Sequence, residues 1–312
     1  MPGVGSPAYL APAGYVASPE AMAKVYTPDE GRGYTRWLAT HHYENFHVVS
    51  FLLPKRLHQD FYNVYAYCRW ADDLADEIGD RAESLRLLSW WRGELDAMYQ
   101  GHATHPVFAA LGPTVRQYAI PRQPLSDLLD AFVQDQTVTR YRDWDELFGY
   151  CINSANPVGR LVLYLCGYSD PQRQHLSDAT CTALQLANFW QDVTVDLQKD
   201  RVYIPLEIME RHGYTLDDLF ARRFTPAFAR VMREIVDKAR ELFQTGLPLS
   251  TMVNRRLAID LDLFSRGGMR VLQKIEQQGY DVLAARPKVS KVERVGLLLG
   301  SVARIAFSPR AA

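Results

Sequence analysis

Two segments of the sequence place aspartates four residues apart inside an apolar helical pattern. The first pair is Asp72 and Asp76, and the second is Asp192 and Asp196. Residues four apart lie on one face of an α-helix with Cβ atoms about 5–6 Å apart, so each pair converges on one point. Asn188 lies one turn before Asp192 and extends the second row. Each row could therefore hold a cation.

Magnesium is the cation that best suits these rows. It accepts carboxylate oxygens, keeps several waters and bridges to phosphate oxygens, and buried like charges would be costly without it. Arg69, three residues before Asp72, adds a guanidinium that suits a phosphate. A solvated helix face is the simpler interpretation of a single pair. The aromatic neighbours Tyr65, Trp70 and Phe189 favour a metal–diphosphate site for the two pairs together.

The segments that must position these residues are helical. Apolar side chains recur every three or four positions, glycine and proline separate the runs, and strand-like alternation is scarce. Ser126 and Ser177 resemble helix N-caps. The pattern predicts an all-α protein with a single helical domain. The helical runs are Tyr62–Asp76, Glu83–Tyr99, Leu125–Thr137, Ala179–Leu197 and Phe228–Gln244.

The two ends of the chain differ from this middle part. Residues 1–35 are predicted to be a flexible extension in which Tyr9, Leu10 and Tyr15 dock on the body, and no basic start or apolar centre typical of a secretory signal is present. Residues 36–292 form the predicted domain, and residues 293–312 a C-terminal helix or tail. For that tail two interpretations remain open, a last core helix and a surface that contacts a membrane.

Composition excludes several classes of function. The 312 residues carry 35 basic and 36 acidic side chains and a formal net charge of -1, so no overall field favours nucleic acid. No charge-free apolar stretch approaches the roughly 20 residues of a membrane span. The four cysteines form no Cys-x-x-Cys pair, which favours free thiols in a reducing cytoplasm. Aromatic residues make up 12% of the chain and offer many π-faces.

At the two acidic rows the sequence resembles the squalene and phytoene synthases. Residues 65–76 resemble the first aspartate-rich motif of that family. Gln185, Asn188, Asp192 and Asp196, followed by residues 201–205, resemble the second. The resemblance covers about residues 36–290. It implies an isoprenoid-synthase helical bundle whose two motifs face each other across a central apolar cavity. It also implies that Mg²⁺ and a substrate diphosphate are held there by Asp72, Asp76, Asn188, Asp192 and Asp196.

Within this family the branch of bacterial hydroxysqualene synthases, from hopanoid biosynthesis, is the most similar. Residues 44–54, 154–160 and 181–192 carry that likeness. It implies an enzyme that takes presqualene diphosphate, expels diphosphate and adds water. Glu44, Gln191 and Gly268 replace residues usual in the branch that condenses two prenyl diphosphates. That branch remains the alternative, and a non-catalytic lipid-binding relative is a third.

The resemblance also suggests residues around the substrate, each with a simpler alternative. The aromatic rings could face a carbocation or belong to the core, His42 and Asn45 could order water or lie on a helix surface, and Val158 with Gly159 could mark a helix break or plain packing. Arg201 could close over the diphosphate or pair with Asp200. The implied catalytic residues besides the metal ligands are Tyr65 and Arg69. The implied substrate-binding residues are His42, Asn45, Phe46, Val158, Gly159, Tyr164, Gln185, Phe189, Arg201 and Tyr203.

Three late cations, Arg286, Lys288 and Lys291, form a basic run with three interpretations. They could reach the diphosphate, meet anionic lipid or form a solvated face. Because the implied substrate is too oily to travel freely in water, the sequence predicts a cytoplasmic protein that contacts the inner face of the cell membrane. Handover from a presqualene diphosphate synthase is part of that expectation.

Overall fold

The computed structural model describes residues 9–41 and 54–307. In these residues the chain forms helices, and its only β-contact is an isolated bridge between Arg140 and Val202. The predicted all-α class is therefore confirmed. The chain divides into two compact units, residues 1–136 and 137–312, and each is described by itself. The predicted domain limits stay a prediction.

The described helices of the first unit are α1 (Pro12–Val16), α2 (Pro19–Ala23), α3 (Pro28–His41), α4 (His58–Asp76), α5 (Arg81–Tyr99), α6 (Pro106–Gln117) and α7 (Arg122–Asp135). Those of the second unit are α8 (Trp144–Ser154), α9 (Asn156–Leu165), α10 (Pro171–Asp196), α11 (Leu206–Arg211), α12 (Leu216–Phe220), α13 (Pro226–Gly246), α14 (Arg255–Gln277) and α15 (Lys291–Phe307). Short 3₁₀ turns cover Lys55–Leu57, Leu197–Lys199 and Leu247–Thr251.

The first unit is built around an aromatic core that holds α4. Trp70 of α4 stacks on Trp91 of α5, with ring centroids 4.9 Å apart and planes at 7°. The ring of His105 meets Trp70 edge-on at 4.4 Å, and its burial lowers its pKa well below the usual value. A neutral imidazole thus packs as an aromatic ring, and the helix with the first acidic row is anchored by its apolar side.

A buried polar network fixes α4 against two more helices. The amide of Asn63 donates to the Ala110 carbonyl at 3.1 Å and to Thr114 Oγ1 at 3.0 Å, both on α6. Its oxygen accepts from Thr35 Oγ1 of α3 at 2.7 Å. Buried polar groups are costly unless paired, so these bonds select one register of α4 between α3 and α6.

The described part of the N-terminal segment contacts α3 and α4. Tyr34 donates from its hydroxyl to the Leu10 carbonyl at 2.9 Å, and Trp70 donates from Nε1 to the Tyr34 hydroxyl at 2.9 Å. Tyr15 is buried and lies edge-on to Trp70. Tyr9 meets Tyr34 edge-on at 5.6 Å. The predicted docking residues are thus all in contact with this unit.

In the second unit the long helix α10 is the central element, and glycines let its neighbours approach closely. A Cβ at Gly159 of α9 would lie 2.3 Å from Ser177 Oγ and 2.5 Å from Cys181 Sγ. A Cβ at Gly246 of α13 would lie 2.1 Å from Thr180 Oγ1. Real side chains do not approach so closely, so glycine at both positions sets how near α9 and α13 pack to α10.

All five predicted helical runs coincide with helices, although Leu125–Thr137 and Ala179–Leu197 extend past the ends of α7 and α10. Two predicted helix starts are wrong. Ser126 lies inside α7, which begins at Arg122, and Ser177 lies inside α10, whose N-cap is Asp170. Asp170 accepts a bond from the Arg173 amide at 3.0 Å, and Pro171 occupies the first helical turn. Asp170 followed by Pro171 is a stronger helix-start signal than Ser177, so α10 begins before Ser177.

Candidate active site

The first acidic row lies on the last two turns of α4. Asp76 is exposed and Asp72 is half-exposed. Arg69 lies among the acids: it binds Asp72 Oδ2 at 3.2 Å, Glu77 Oε1 at 2.9 Å, and also the carboxylate of Asp73. The guanidinium therefore partly neutralises this row, and its predicted contact with a phosphate stays a prediction.

Asp73 is a member of this cluster that the spacing argument missed. Its side chain is 4% exposed and turned inward, where Arg69 pairs with it. Burial raises the pKa of Asp73 to about 7, against the opposing effect of Arg69. The signal was present in the sequence, because a residue one position from Asp72 points about 100° away from it around a helix, toward the buried side.

Tyr65 lies on α4 two turns before Asp72, as predicted, and is half-buried. Burial raises the pKa of its hydroxyl, and Arg69 opposes that shift. Tyr65 is thus a neutral ring close to the acidic row. Its role toward a carbocation stays a prediction.

The second acidic row ends α10 at a kink. Asp192 departs from helical geometry, with φ -105° and ψ 15°, and Asn188 is exposed one turn earlier. Asp196 is half-buried, and burial together with the charge of Asp192 raises its pKa to about 7. The two carboxylates repel each other enough that one added cation would stabilise both.

A loop from the far end of the second unit covers this row. We call residues 278–290, between α14 and α15, the strap. Arg286 of the strap binds both oxygens of Asp192: Nε donates to Oδ1, and Nη2 donates to Oδ2 at 3.1 Å. Gln191 donates from Nε2 to the Pro287 carbonyl at 2.5 Å. This contact with a carboxylate is not one of the three interpretations of the late cations, and contact of Arg286 with a diphosphate stays a prediction.

The strap is braced at both ends. Gln278 donates to the carbonyls of Asp281 at 2.9 Å and Ala285 at 3.1 Å. At the other end Ser290 and Glu293 form a reciprocal cap at the start of α15, through a 2.8 Å bond from the Ser290 amide and a 3.2 Å bond to its hydroxyl. The guanidinium of Arg286 is therefore held by local structure.

Aromatic rings line the inner side of the second row. Phe189 stacks on Tyr203 with centroids 3.6 Å apart and planes at 4°. Tyr203 also stacks on Tyr141 at 5.7 Å and on Tyr150 at 6.0 Å. Sequence analysis found Phe189 and Tyr203 but missed Tyr141 and Tyr150, which carry no local motif.

A small cavity of about 10 Å³ lies beside this stack, the space that one water molecule needs. Phe189, Asp196, Arg201 and Leu219 are among its lining residues. Its apolar walls explain the raised pKa of Asp196. Arg201 lowers that pKa through its charge, and its amide donates to the Asp196 carbonyl at 2.9 Å. Asp200, the other expected partner of Arg201, is bound by Arg140, with Nη2 and Oδ1 2.6 Å apart.

Two of the remaining predicted residues of the second unit form hydrogen bonds with neighbouring side chains. Gln185 donates to Ser154 Oγ at 3.0 Å, and Tyr164 accepts from Gln174 at 3.2 Å. Val158 is 46% exposed. Of the two interpretations of Val158 and Gly159, plain packing agrees with the structure, because Gly159 lies against α10. The helix is interrupted earlier, at Ala155, where Asn156-Pro157 begins a new helix. His42, Asn45 and Phe46 lie outside the described residues.

The donor chemistry of each row fits a divalent metal that also binds a substrate. Among the described residues no group of three or more His, Cys, Asp or Glu side chains is close enough to hold a metal ion. The second row nevertheless offers two carboxylates and one amide oxygen, and a cation, Arg286, already binds Asp192. Mg²⁺ is commonly held by one or two carboxylates together with substrate phosphates and water. That the two rows face each other stays a prediction.

The chain matches a family model, curated proteins and a solved structure. The family model for squalene/phytoene synthase matches residues 39–293. The chain is 32% identical to the phytoene synthase of Thermus thermophilus over 86% of this chain and 91% of that protein. It is 31% identical to the hydroxysqualene synthase of Rhodopseudomonas palustris over 84% and 89%. The structure of squalene synthase HpnC from Alicyclobacillus acidocaldarius is 43% identical, with a TM-score of 0.78 over 81% of this chain and 95% of that one.

Proposed function

This chain belongs to the squalene/phytoene synthase family, a family of isoprenoid synthases that act on prenyl diphosphates, and we propose that within it the chain is a hydroxysqualene synthase. The reaction we propose converts presqualene diphosphate and water into hydroxysqualene and diphosphate. Two curated hydroxysqualene synthases, each 31% identical, support this choice. The phytoene synthase at 32% identity supports the alternative, condensation of two prenyl diphosphates. Identity alone therefore does not separate the two reactions.

The observation that carries our choice is the use of Gln191. The resemblance places an arginine at this position in the condensing branch. Here the residue is a neutral amide, and it donates to the Pro287 carbonyl of the strap. Arg286 is then the cation that the strap brings to the acidic row. The chain thus lacks one cation that the resemblance implies for the condensing branch, and its absence suits one diphosphate better than two, because each diphosphate brings several negative charges.

In the proposed reaction, the carbon–oxygen bond to diphosphate breaks and its electron pair leaves with the diphosphate. The resulting cyclopropylcarbinyl cation rearranges as a carbon–carbon bond of the three-membered ring migrates and breaks. The water oxygen then bonds to the ring-opened carbocation, and one water proton is lost to the released diphosphate. Atoms and charge balance without an oxidant or reductant. Mg²⁺, held by Asp72, Asp76, Asn188, Asp192 and Asp196, would neutralise the leaving diphosphate.

The side chains of the protein would stabilise charge rather than react. Arg69 and Arg286 are guanidiniums that can bind diphosphate oxygens. Phe189, one face of which Tyr203 covers, would offer its other face to a cation, a contact worth roughly 0.5–2 kcal/mol. The proposed reaction requires apolar walls around the cation that exclude bulk water, so that capture is limited to an ordered molecule. Tyr65 is the ring we propose nearest the first row.

We also propose where the reaction takes place. A thirty-carbon substrate partitions into lipid, so the enzyme would collect it at the inner face of the cell membrane, in a hopanoid pathway, from the synthase that makes presqualene diphosphate. No described helix is both long enough and apolar enough to cross a bilayer. Contact from one side is the arrangement we favour.

One experiment separates the candidates. Purified protein receives Mg²⁺ with presqualene diphosphate, farnesyl diphosphate or geranylgeranyl diphosphate, in water enriched in oxygen-18, and products are identified by mass spectrometry. We expect hydroxysqualene carrying the heavy oxygen from presqualene diphosphate and no product from the other two. A thirty-carbon product from farnesyl diphosphate alone, or phytoene, would assign the chain to the condensing branch.

A further inference from the structure

The last described helix, α15, exposes a continuous apolar face. Val292, Val295, Leu299, Val302 and Ala306 follow one another at spacings of three and four residues, so they share one side of the helix. We call this set the α15 stripe. Its four large side chains are 82%, 57%, 64% and 39% exposed in chain order. Such clustered exposure of aliphatic side chains marks a contact surface.

The opposite side of α15 accounts for its packing on the second unit. Ser301 and Ile305 are buried, and Ile305 joins the core cluster of Leu257 and Ala258. The stripe is therefore not the face that attaches α15 to its own unit. Within the described residues nothing covers it.

The charges around the stripe are positive. Lys288, Lys291 and Arg294 are exposed at the start of α15 and just before it. Glu293, the only acid between residues 282 and 312, is turned toward α14, where Lys274 Nζ lies 2.8 Å from its Oε1 and Arg270 also binds it. No charged side chain interrupts the stripe between Val292 and Ala306, because Glu293, Arg294 and Arg304 lie on other sides of the helix.

We propose that the α15 stripe docks on an anionic lipid bilayer, with α15 lying in the plane of the surface. An amphipathic helix with an aliphatic face and flanking Lys and Arg has the composition of such a contact. A second copy of the chain fits less well, because the exposed charges at the edge of this face are all cationic and would repel their copies. Anionic head groups would instead pair with Lys288 and Lys291.

This proposal rests on the surface of α15 and not on the proposed reaction, so it is tested without substrate. Purified protein is sedimented with phosphatidylcholine vesicles that either contain or lack phosphatidylglycerol, over a range of salt concentrations. We expect binding to the anionic vesicles that weakens as salt rises. No sedimentation with anionic vesicles would overturn the proposal.

Matched variants locate the contact. Val295→Asp should weaken vesicle binding about ten-fold or more. Val25→Asp, the same change at an exposed valine of the first unit, should leave it unchanged. Lys288→Gln with Lys291→Gln should cost about five-fold for each cation. Leu299→Gln provides a second, uncharged test of the stripe, and circular dichroism checks that every variant is folded.

Two results would contradict the assignment. Equal weakening by Val295→Asp and Val25→Asp would show that charge alone, and not the stripe, controls binding. A wild-type dimer in sedimentation velocity that Val295→Asp dissociates, with no vesicle binding, would assign the face to a second copy.

Discussion

The carboxylate of Asp192 and the guanidinium of Arg286 form a two-bond ion pair between residues 94 positions apart in the chain. Asp192 is also a candidate metal ligand, and it lies at the point where α10 departs from helical geometry. Both oxygens of the Asp192 carboxylate accept bonds from the guanidinium, whose positive charge would repel a metal ion bound to the same carboxylate. We therefore expect Arg286 to compete with metal in the protein without substrate.

This competition predicts that Arg286→Gln strengthens metal binding in the absence of substrate. An ion pair of partly exposed groups is worth up to about 1 kcal/mol, so the gain should be about five-fold. Binding of Mn²⁺ can be measured by electron paramagnetic resonance and of Mg²⁺ by calorimetry. Lys288→Gln removes the same charge two residues away in the strap and should change the affinity much less. Equal effects of the two variants would show that net charge, and not the ion pair with Asp192, controls the metal affinity.

Loss of either acidic row should abolish diphosphate release. Asp72→Ala and Asp192→Ala each remove an oxygen ligand and should lower the rate at least about 1000-fold, since charge neutralisation of the leaving group supplies several kcal/mol. Released diphosphate is measured with a coupled assay, and the helical signal should be unchanged. Asp237→Ala, an exposed aspartate of α13 paired with Arg240, is the control. An active Asp72→Ala or Asp192→Ala variant would remove that residue from the metal site.

We expect opposite changes in stability when Gly268 and Gly267 of α14 are each replaced by alanine. A Cβ at Gly268 would lie 2.2 Å from Cζ of the buried Phe243, whereas nothing lies within 4 Å of one at Gly267. Gly268→Ala should therefore destabilise the protein by about 1–3 kcal/mol. Gly267→Ala should stabilise it by about 0.5–1 kcal/mol through helix propensity. Denaturant unfolding measures both.

A third variant tests the cause of that difference. Phe243→Leu shortens the side chain that blocks Gly268, so Gly268→Ala should cost less when combined with it than in the wild type. A simple sum of the two single effects would show that Phe243 is not the obstacle.

We expect the stability of the folded protein to depend on pH because of Asp260. Its carboxyl group is 2% exposed, neither oxygen has a hydrogen-bond partner among the described residues, and burial raises its pKa to about 7. In the unfolded chain the pKa is near 3.9. Between these values the folded state holds a proton that the unfolded state has lost, so stability should fall as the pH rises from about 4 to about 7.

The matching variant is Asp260→Asn, which cannot ionise. Melting temperatures measured from pH 5 to pH 8 should fall for the wild type and change less for the variant, with the largest gain from substitution at pH 8. A wild type and variant whose stabilities run parallel across this range would show that the carboxyl group titrates normally.

The sequence by itself determined what depends on neighbours a few residues apart. The helical class, the five helical runs and the shared face of each aspartate pair follow from a period of 3.6 residues. The caps show where this local logic fails: Ser177 and Asp170 both suit a helix start, and the proline after Asp170 decided between them. The docking of the N-terminal tyrosines could also be predicted from the sequence, because large aromatic side chains gain most by packing.

Only the tertiary structure decided the contacts between distant segments. Nothing near Asp192 in the sequence points to Arg286, because the strap reaches it by folding back from the end of α14. Tyr141 and Tyr150 join Phe189 and Tyr203 only because α8 and its preceding loop pack against these two rings. Position 268 needs a glycine only because Phe243 of another helix lies against it. The pKa of Asp260 is raised only because its side chain is buried. Close packing fixes each of these, and packing is a property of the folded chain.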